Sequence, residues 1–246
     1  MSGHSKWNNI KRKKEKTDSQ KAKVFTKLGR EIAVIVKQGG PDPASNFKLK
    51  DVMSKARAAN MPNDNIMRCI KKAAGEGSAD NYEEITYEGY GPKGVAVIVE
   101  TLTDNRNRTG GDMKHYFDKF GGNLGASGCV SWMFDKKGII TVDKESGADE
   151  ETLMMDALDI GAYDFNSEGD YFEIYTDPND VYKINDALAE KGYTIASAEA
   201  AMIPQNYIAL DTEDDITLME KLLDILEDNE DVQEVYHNWE INEEEE

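Results

Sequence analysis

The sequence predicts an α+β protein: an N-terminal three-helix domain followed by two α+β domains, one a ferredoxin-like βαββαβ unit inserted into the other. Three observations predict it. Apolar residues recur at three- and four-residue spacing as far as Ala74. Beyond a glycine-containing hinge at Gly75-Glu76-Gly77-Ser78 the pattern changes to alternating and continuous β-rich runs. Between residues 137 and 205 the order reads strand, helix, strand, strand, helix, strand. A chain of 246 residues has room for two or three small domains, each with a modest core.

Residues 1–16, MSGHSKWNNIKRKKEK, are too polar to build a packed element and read as a basic arm. Trp7 within it has two readings, stacking on an exposed base or packing back on the helices. From Thr17 to Gln38 the positions Ala22, Val24, Phe25, Leu28, Ile32, Ile35 and Val36 mark an amphipathic helix, capped by Thr17 or Asp18 and stopped by Gly39-Gly40. Phe47, Leu49, Val52, Met53 and Ala56 repeat the pattern until about Asn60, and Asn63 or Asp64 caps a third helix, Ile66 to Ala74. Strands follow at Glu84 to Glu88, Val95 to Thr103 and Cys129 to Phe134, with a helix from Arg108 to Phe120. Gly121 to Gly125 reads as a turn needing positive φ. The inserted unit takes strands Gly138 to Val142, Asp164 to Asn166, Tyr171 to Thr176 and Thr194 to Met202, with helices Glu150 to Ile160 and Asp180 to Lys191. A short strand Ile208 to Asp211, a helix Ile216 to Asn229 and a strand Val232 to Trp239 complete the domain that the insertion interrupts. The expected division is 1–76 for the arm and helices, 77–136 with 206–241 for the discontinuous α+β domain, 137–205 for the insertion and 242–246 for an acidic tail.

The net charge of −19 hides a segregation. Residues 1–75 carry 18 lysines and arginines against 6 carboxylates, a net of +12; the remainder carries 11 against 42, a net of −31. A segregated basic end is what binding to a polyphosphate requires, and an acidic body keeps the rest of the molecule off it. The candidate contacts are Lys6, Trp7, Lys11, Arg12, Lys13 and Lys14 on the arm, and Lys21, Lys23, Lys27, Arg30, Lys55, Arg57, Asn65, Arg68, Lys71 and Lys72 on the helices. Thr103-Asp104-Asn105-Arg106-Asn107-Arg108-Thr109, where a strand gives way to a helix, adds Arg106 and Arg108. This run reads equally as an anion site and as a capping loop whose arginines pair with acidic neighbours.

Signals for catalysis are missing from the sequence. His4, His115 and His237 have no zinc spacing, Cys69 and Cys129 form no CxxC, and phosphate-loop and nucleophile-elbow motifs are absent. The expectation is therefore a non-enzyme without metal or cofactor. No run approaches the ~20 apolar residues that span a bilayer, and the arm is not followed by an apolar stretch, so a cytoplasmic protein with no membrane partner is expected. The sequence carries no signal for oligomeric state.

Gly3-His4-Ser5-Lys6-Trp7, Asn60-Met61-Pro62-Asn63-Asp64-Asn65-Ile66, Tyr87-Glu88-Gly89-Tyr90-Gly91-Pro92, the Thr103–Thr109 run and Trp132-Met133-Phe134 together resemble the YebC/PmpR family, which includes the mitochondrial translational activator of cytochrome oxidase subunit I. Cys129 stands where that family commonly has Ser, and Met113-Lys114 where Val-Arg is frequent. The resemblance implies the same three-domain plan and a regulator that binds nucleic acid. Some members are described as DNA-binding transcriptional regulators; others resemble translation factors that bind ribosomal RNA and relieve stalling. Lysine-dominated helices with a flexible basic arm suit irregular RNA better than base readout in a DNA major groove, so a ribosome-binding translation factor is the favoured expectation and a DNA-binding regulator the alternative.

Overall fold

The computed structural model describes residues 18–75, 81–167 and 169–241. The arm with Lys6, Trp7, Lys11, Arg12, Lys13 and Lys14, the hinge residues Glu76 to Ser78 and the acidic tail lie outside the described residues.

Helix α1 (Asp18–Gly39), α2 (Phe47–Ala58) and α3 (Asn63–Ala74) pack around Leu28, Ile32, Val36, Leu49, Val52, Met53, Ala56, Ile66 and Ile70. Asn46 is itself buried and organises the α1–α2 corner: its Oδ1 accepts from Leu49 N–H as an N-cap, and its Nδ2 donates to the Ile35 and Gly40 carbonyls at 3.2 and 2.9 Å. Phe47, expected in the core, is 76% exposed. At 100° per residue it stands roughly 180° around α2 from the Leu49, Val52, Met53 and Ala56 stripe, so its apolar character misleads. Val24 is likewise exposed.

Strand β1 (Glu83–Tyr90) pairs antiparallel with β2 (Ala96–Thr103) and with the short β3 (Asn123–Leu124), and β2 pairs with β9 (Val232–His237), giving the order β3-β1-β2-β9. Helix α4 (Arg106–Lys119) joins β2 to β3, and α7 (Glu213–Asp228) precedes β9 and packs on α4. The close approach of β3 to β1 requires Gly89, because a Cβ there would lie 2.6 Å from the Asn123 carbonyl.

The expected strand Cys129–Phe134 does not form; a 3-10 turn spans Ser131–Met133, and β4 starts only at Phe134 and runs to Asp143. The reason is a competing acceptor. The buried Glu88 carboxylate takes the backbone N–H groups of Gly128, Val130 and Ser131 at 2.7, 2.9 and 2.8 Å, which withdraws that backbone from any ladder. Burial by itself would raise the Glu88 carboxyl, but these three N–H groups and the Ser131 side chain outweigh it and hold it below the usual glutamate range.

The inserted segment runs β4, α5 (Glu150–Ile160), β5 (Asp164–Asn166), β6 (Tyr171–Thr176), α6 (Val181–Glu190) and β7 (Ile195–Pro204). Its antiparallel sheet has the order β7-β4-β6-β5, the split βαβ arrangement, over a core of Ile140, Val142, Leu153, Ala157, Phe172, Ile174, Ile184 and Leu188. Strand β8 (Ile208–Ala209) pairs in parallel with β10 (Trp239–Glu240), and the last expected strand is interrupted at Asn238, which separates β9 from β10. Among the described residues the chain divides into two compact units. One holds the helices through Ser131 together with Leu210–His237; the other holds Trp132–Ala209 and the segment from Asn238 onward.

Candidate nucleic-acid interface

The basic residues of the helical module separate into two faces. Lys23, Lys27 and Arg30 recur at i, i+4 and i+7 on α1 and therefore share one side of it. That side meets the C-terminal end of α7. Lys27 Nζ donates to the Glu227 carbonyl at 2.7 Å, Lys23 lies 3.2 Å from Asp228, and Arg30 Nη1 donates to the Glu230 carbonyl at 2.8 Å and to Asp231 Oδ1 at 2.7 Å. Helix α7 has no basic residue in its own last turn. The α1 stripe supplies the cations that its terminal carbonyls and carboxylates require. Lys55 on α2 acts similarly, bridging Glu31 at 3.4 Å and Glu234 at 3.3 Å.

Asp231 is the centre of this contact. It is 4% exposed, and its second carboxylate oxygen accepts from Arg108 Nη2 and from Thr109 Oγ1, both at 2.7 Å, with Thr103 Oγ1 3.2 Å away. Burial pushes this carboxyl up, but hydrogen bonds from Arg108, Thr109 and Arg30 prevail and hold it below the ordinary aspartate range. The same bond that Arg108 donates to Asp231, with a second it donates to Asp104 at 2.9 Å, raises its guanidinium. The N-cap of α4 is Asn105, whose Oδ1 accepts from Arg108 N–H at 3.1 Å. Within the Thr103–Thr109 run, then, Arg108 is held by the protein's own carboxylates while Arg106 is exposed.

The other face lies on α2 and α3. Arg57, Arg68, Lys71 and Lys72 are all exposed. Arg57 Nε bonds the neutral Asn63 amide at 3.2 Å, and Arg68 Nη1 bonds the neutral Asn65 amide at 3.2 Å, so neither contact cancels charge. Lys48 and Lys50, at the start of α2, are exposed as well. Lys21 falls on α1, and its side chain lies outside the described residues. Of the ten candidates that the sequence offered on the helices, Arg57, Arg68, Lys71 and Lys72 are thus exposed, while Lys23, Arg30 and Lys55 meet carboxylates of the protein and Lys27 meets a backbone carbonyl. Sequence reasoning missed Asp231 and Glu88. Both belong to a chain with 48 carboxylates, and neither has a local pattern that sets it apart.

Among the described residues no cluster of histidine, cysteine and carboxylate side chains has the form of a metal site, and no helix is long and apolar enough to cross a membrane. Residues 5–76 match the family model described as the TACO1/YebC protein N-terminal domain, and residues 82–239 match the model of the TACO1/YebC second and third domain. A protein of Acetivibrio thermocellus named "Probable transcriptional regulatory protein" is 62% identical over 239 residues, 97% of this chain and 99% of its own. A protein of the same name from Ruminiclostridium cellulolyticum is 60% identical over 246 residues, 100% of this chain and 99% of its own. Among solved structures, a conserved hypothetical protein from Aquifex aeolicus aligns with a TM-score of 0.82 at 44% identity, covering 93% of this chain and 94% of that one.

Proposed function

This chain belongs to the TACO1/YebC family, and on that premise we propose that it is a non-enzymatic, cytoplasmic regulator of gene expression that binds ribosomal RNA as a translation factor. One observation carries the reading: once the inward cations are matched to α7, to the turn after it and to β9, an exposed basic surface remains on α2 and α3, formed by Arg57, Arg68, Lys71 and Lys72. Point charges on flexible stems and two forked guanidiniums on short helices track a phosphate backbone. The basic arm carries further lysines and an arginine in the sequence, and Arg106, exposed at the start of α4, is a further candidate contact. On α3 the candidate base-reading side chains Asn65 and Arg68 are bonded to each other, which favours backbone contact over readout of a DNA major groove.

The names of the relatives favour a second reading, a DNA-binding transcriptional regulator. Sedimentation of the full-length protein through a sucrose gradient with ribosomes separates the two. Under the translation reading it travels with ribosomes at low salt and is released as salt rises. Were it to stay at the top of the gradient while shifting a defined promoter duplex at nanomolar concentration, the transcriptional reading would replace ours.

A further inference from the structure

We propose that the solvent face of α5 in the ferredoxin-like unit is a protein-docking surface, and that its occupant is a basic, amphipathic helical segment of another protein. Leu153 and Ala157 turn inward, fully buried. On the opposite side Met154, Met155 and Leu158 are 36%, 64% and 45% exposed, and their i, i+1, i+4 spacing gathers them into one apolar stripe. Tyr163, just past the Gly161 C-cap, is 53% exposed. Half of the large apolar side chains that stand exposed among the described residues thus fall within ten positions of this one helix and its turn. Contiguous exposed apolar surface of this kind marks an interaction site, and methionine, unbranched and polarisable, adapts to a partner's side chains.

Charge selects the occupant. Glu150, Glu151, Asp159 and Asp164 are all exposed around the stripe. Two of these complement the positive end of the helix, but Asp159 sits in the last turn, which holds no basic residue and where the helix dipole disfavours an anion. Folding does not explain it. An acidic rim repels nucleic acid, and in a two-fold pairing of copies it would face its own carboxylates. A helix with apolar residues at i, i+3, i+4 and i+7 and lysine or arginine beside them matches both stripe and rim.

The test uses the full-length protein with 13C-methyl-labelled methionine and two synthetic peptides about 18 residues long. One carries leucine and lysine at helical spacing; the other has the same composition scrambled. The helical peptide should shift the Met154 and Met155 methyl resonances selectively among the ten methionines of the chain. Met155→Glu, Leu158→Glu and the rim double variant Glu151→Lys/Asp159→Lys should each weaken it by about tenfold or more, with unchanged thermal midpoints because these positions are exposed. Equal binding of the scrambled peptide, or full affinity in all three variants, would overturn the proposal. So would self-association in sedimentation that Met155→Glu abolishes, which would make the occupant a second copy, or a shift of the same methyls by an RNA oligonucleotide alone.

Discussion

Asp231 shows how one carboxylate can fix two elements. It closes a junction between α1, through Arg30, and the start of α4, through Arg108 and Thr109, while its carbonyl accepts from Leu102 N–H in β2 at 2.7 Å. Replacing it by Ala removes the nearer of the two carboxylates that hold the Arg30 guanidinium, which is only 17% exposed, and leaves it Glu230 alone. Loss of a buried pair's partner costs about 3 kcal/mol, and because Arg108 is half exposed its share is smaller, so a destabilisation of about 2–3 kcal/mol is expected from urea midpoints. Asp231→Asn keeps shape and some hydrogen bonds and should cost less. The same residue predicts acid sensitivity. Asp231 and Glu88 both titrate below their unfolded values of about 3.9 and 4.3, so each stabilises the fold above those values and loses that contribution as pH falls through its folded value. Stability should therefore hold between pH 7 and 5 and decline below about pH 4, and the double variant Asp231→Asn/Glu88→Gln, though weaker at neutrality, should decline less steeply. An identical acid slope in the double variant would contradict the assignment.

At the scale of elements, helix periodicity reports a face only where several residues agree. In α2 four residues define the core stripe, and Phe47 disagrees with them by half a turn. Phe47→Ser should accordingly change stability by no more than about 0.5 kcal/mol, whereas Leu49→Ala, at a position with 0% exposure, should cost about 2–5 kcal/mol in the same denaturation assay. Helices α1 to α3 and the strand–helix order of the inserted unit were legible because each carries its own period and its own stop signals. The 125–131 loop was not. Val130 and its neighbours have strand-like composition, yet Glu88, about forty positions earlier, captures their N–H groups, and a local window holds no record of so distant an acceptor. The candidate interface was legible to the same extent. Charge segregation pointed to the helical module, but which of its cations face inward depends on where α7 ends, some two hundred residues away.

At the scale of the molecule, the acidic body and the basic module are not simply repelling and attracting ends of one chain. Carboxylates at the end of α7 and in the turn that follows it hold Lys23 and Arg30 of α1, and Glu234 of β9 holds Lys55 of α2, which leaves Arg57, Arg68, Lys71 and Lys72 exposed on α2 and α3. Two sets of cations in one module should then behave oppositely under mutation. Reversal of Arg68 and Lys71 to Glu should leave the denaturation midpoint nearly unchanged, since both are exposed, but lower RNA affinity and flatten its dependence on salt by about 0.7 in log–log slope for each phosphate of single-stranded RNA that is no longer neutralised. Replacing Arg30 by Ala should do the reverse, lowering the midpoint while leaving the salt slope intact, because its two carboxylate partners already hold it. Measuring both quantities on both variants distinguishes a phosphate-binding surface from general cationic attraction. If Arg30→Ala flattened the salt slope as much as the Arg68/Lys71 reversal does, the junction with α7 would have to open when RNA binds, and the division of the module into an inward and an outward face would fail.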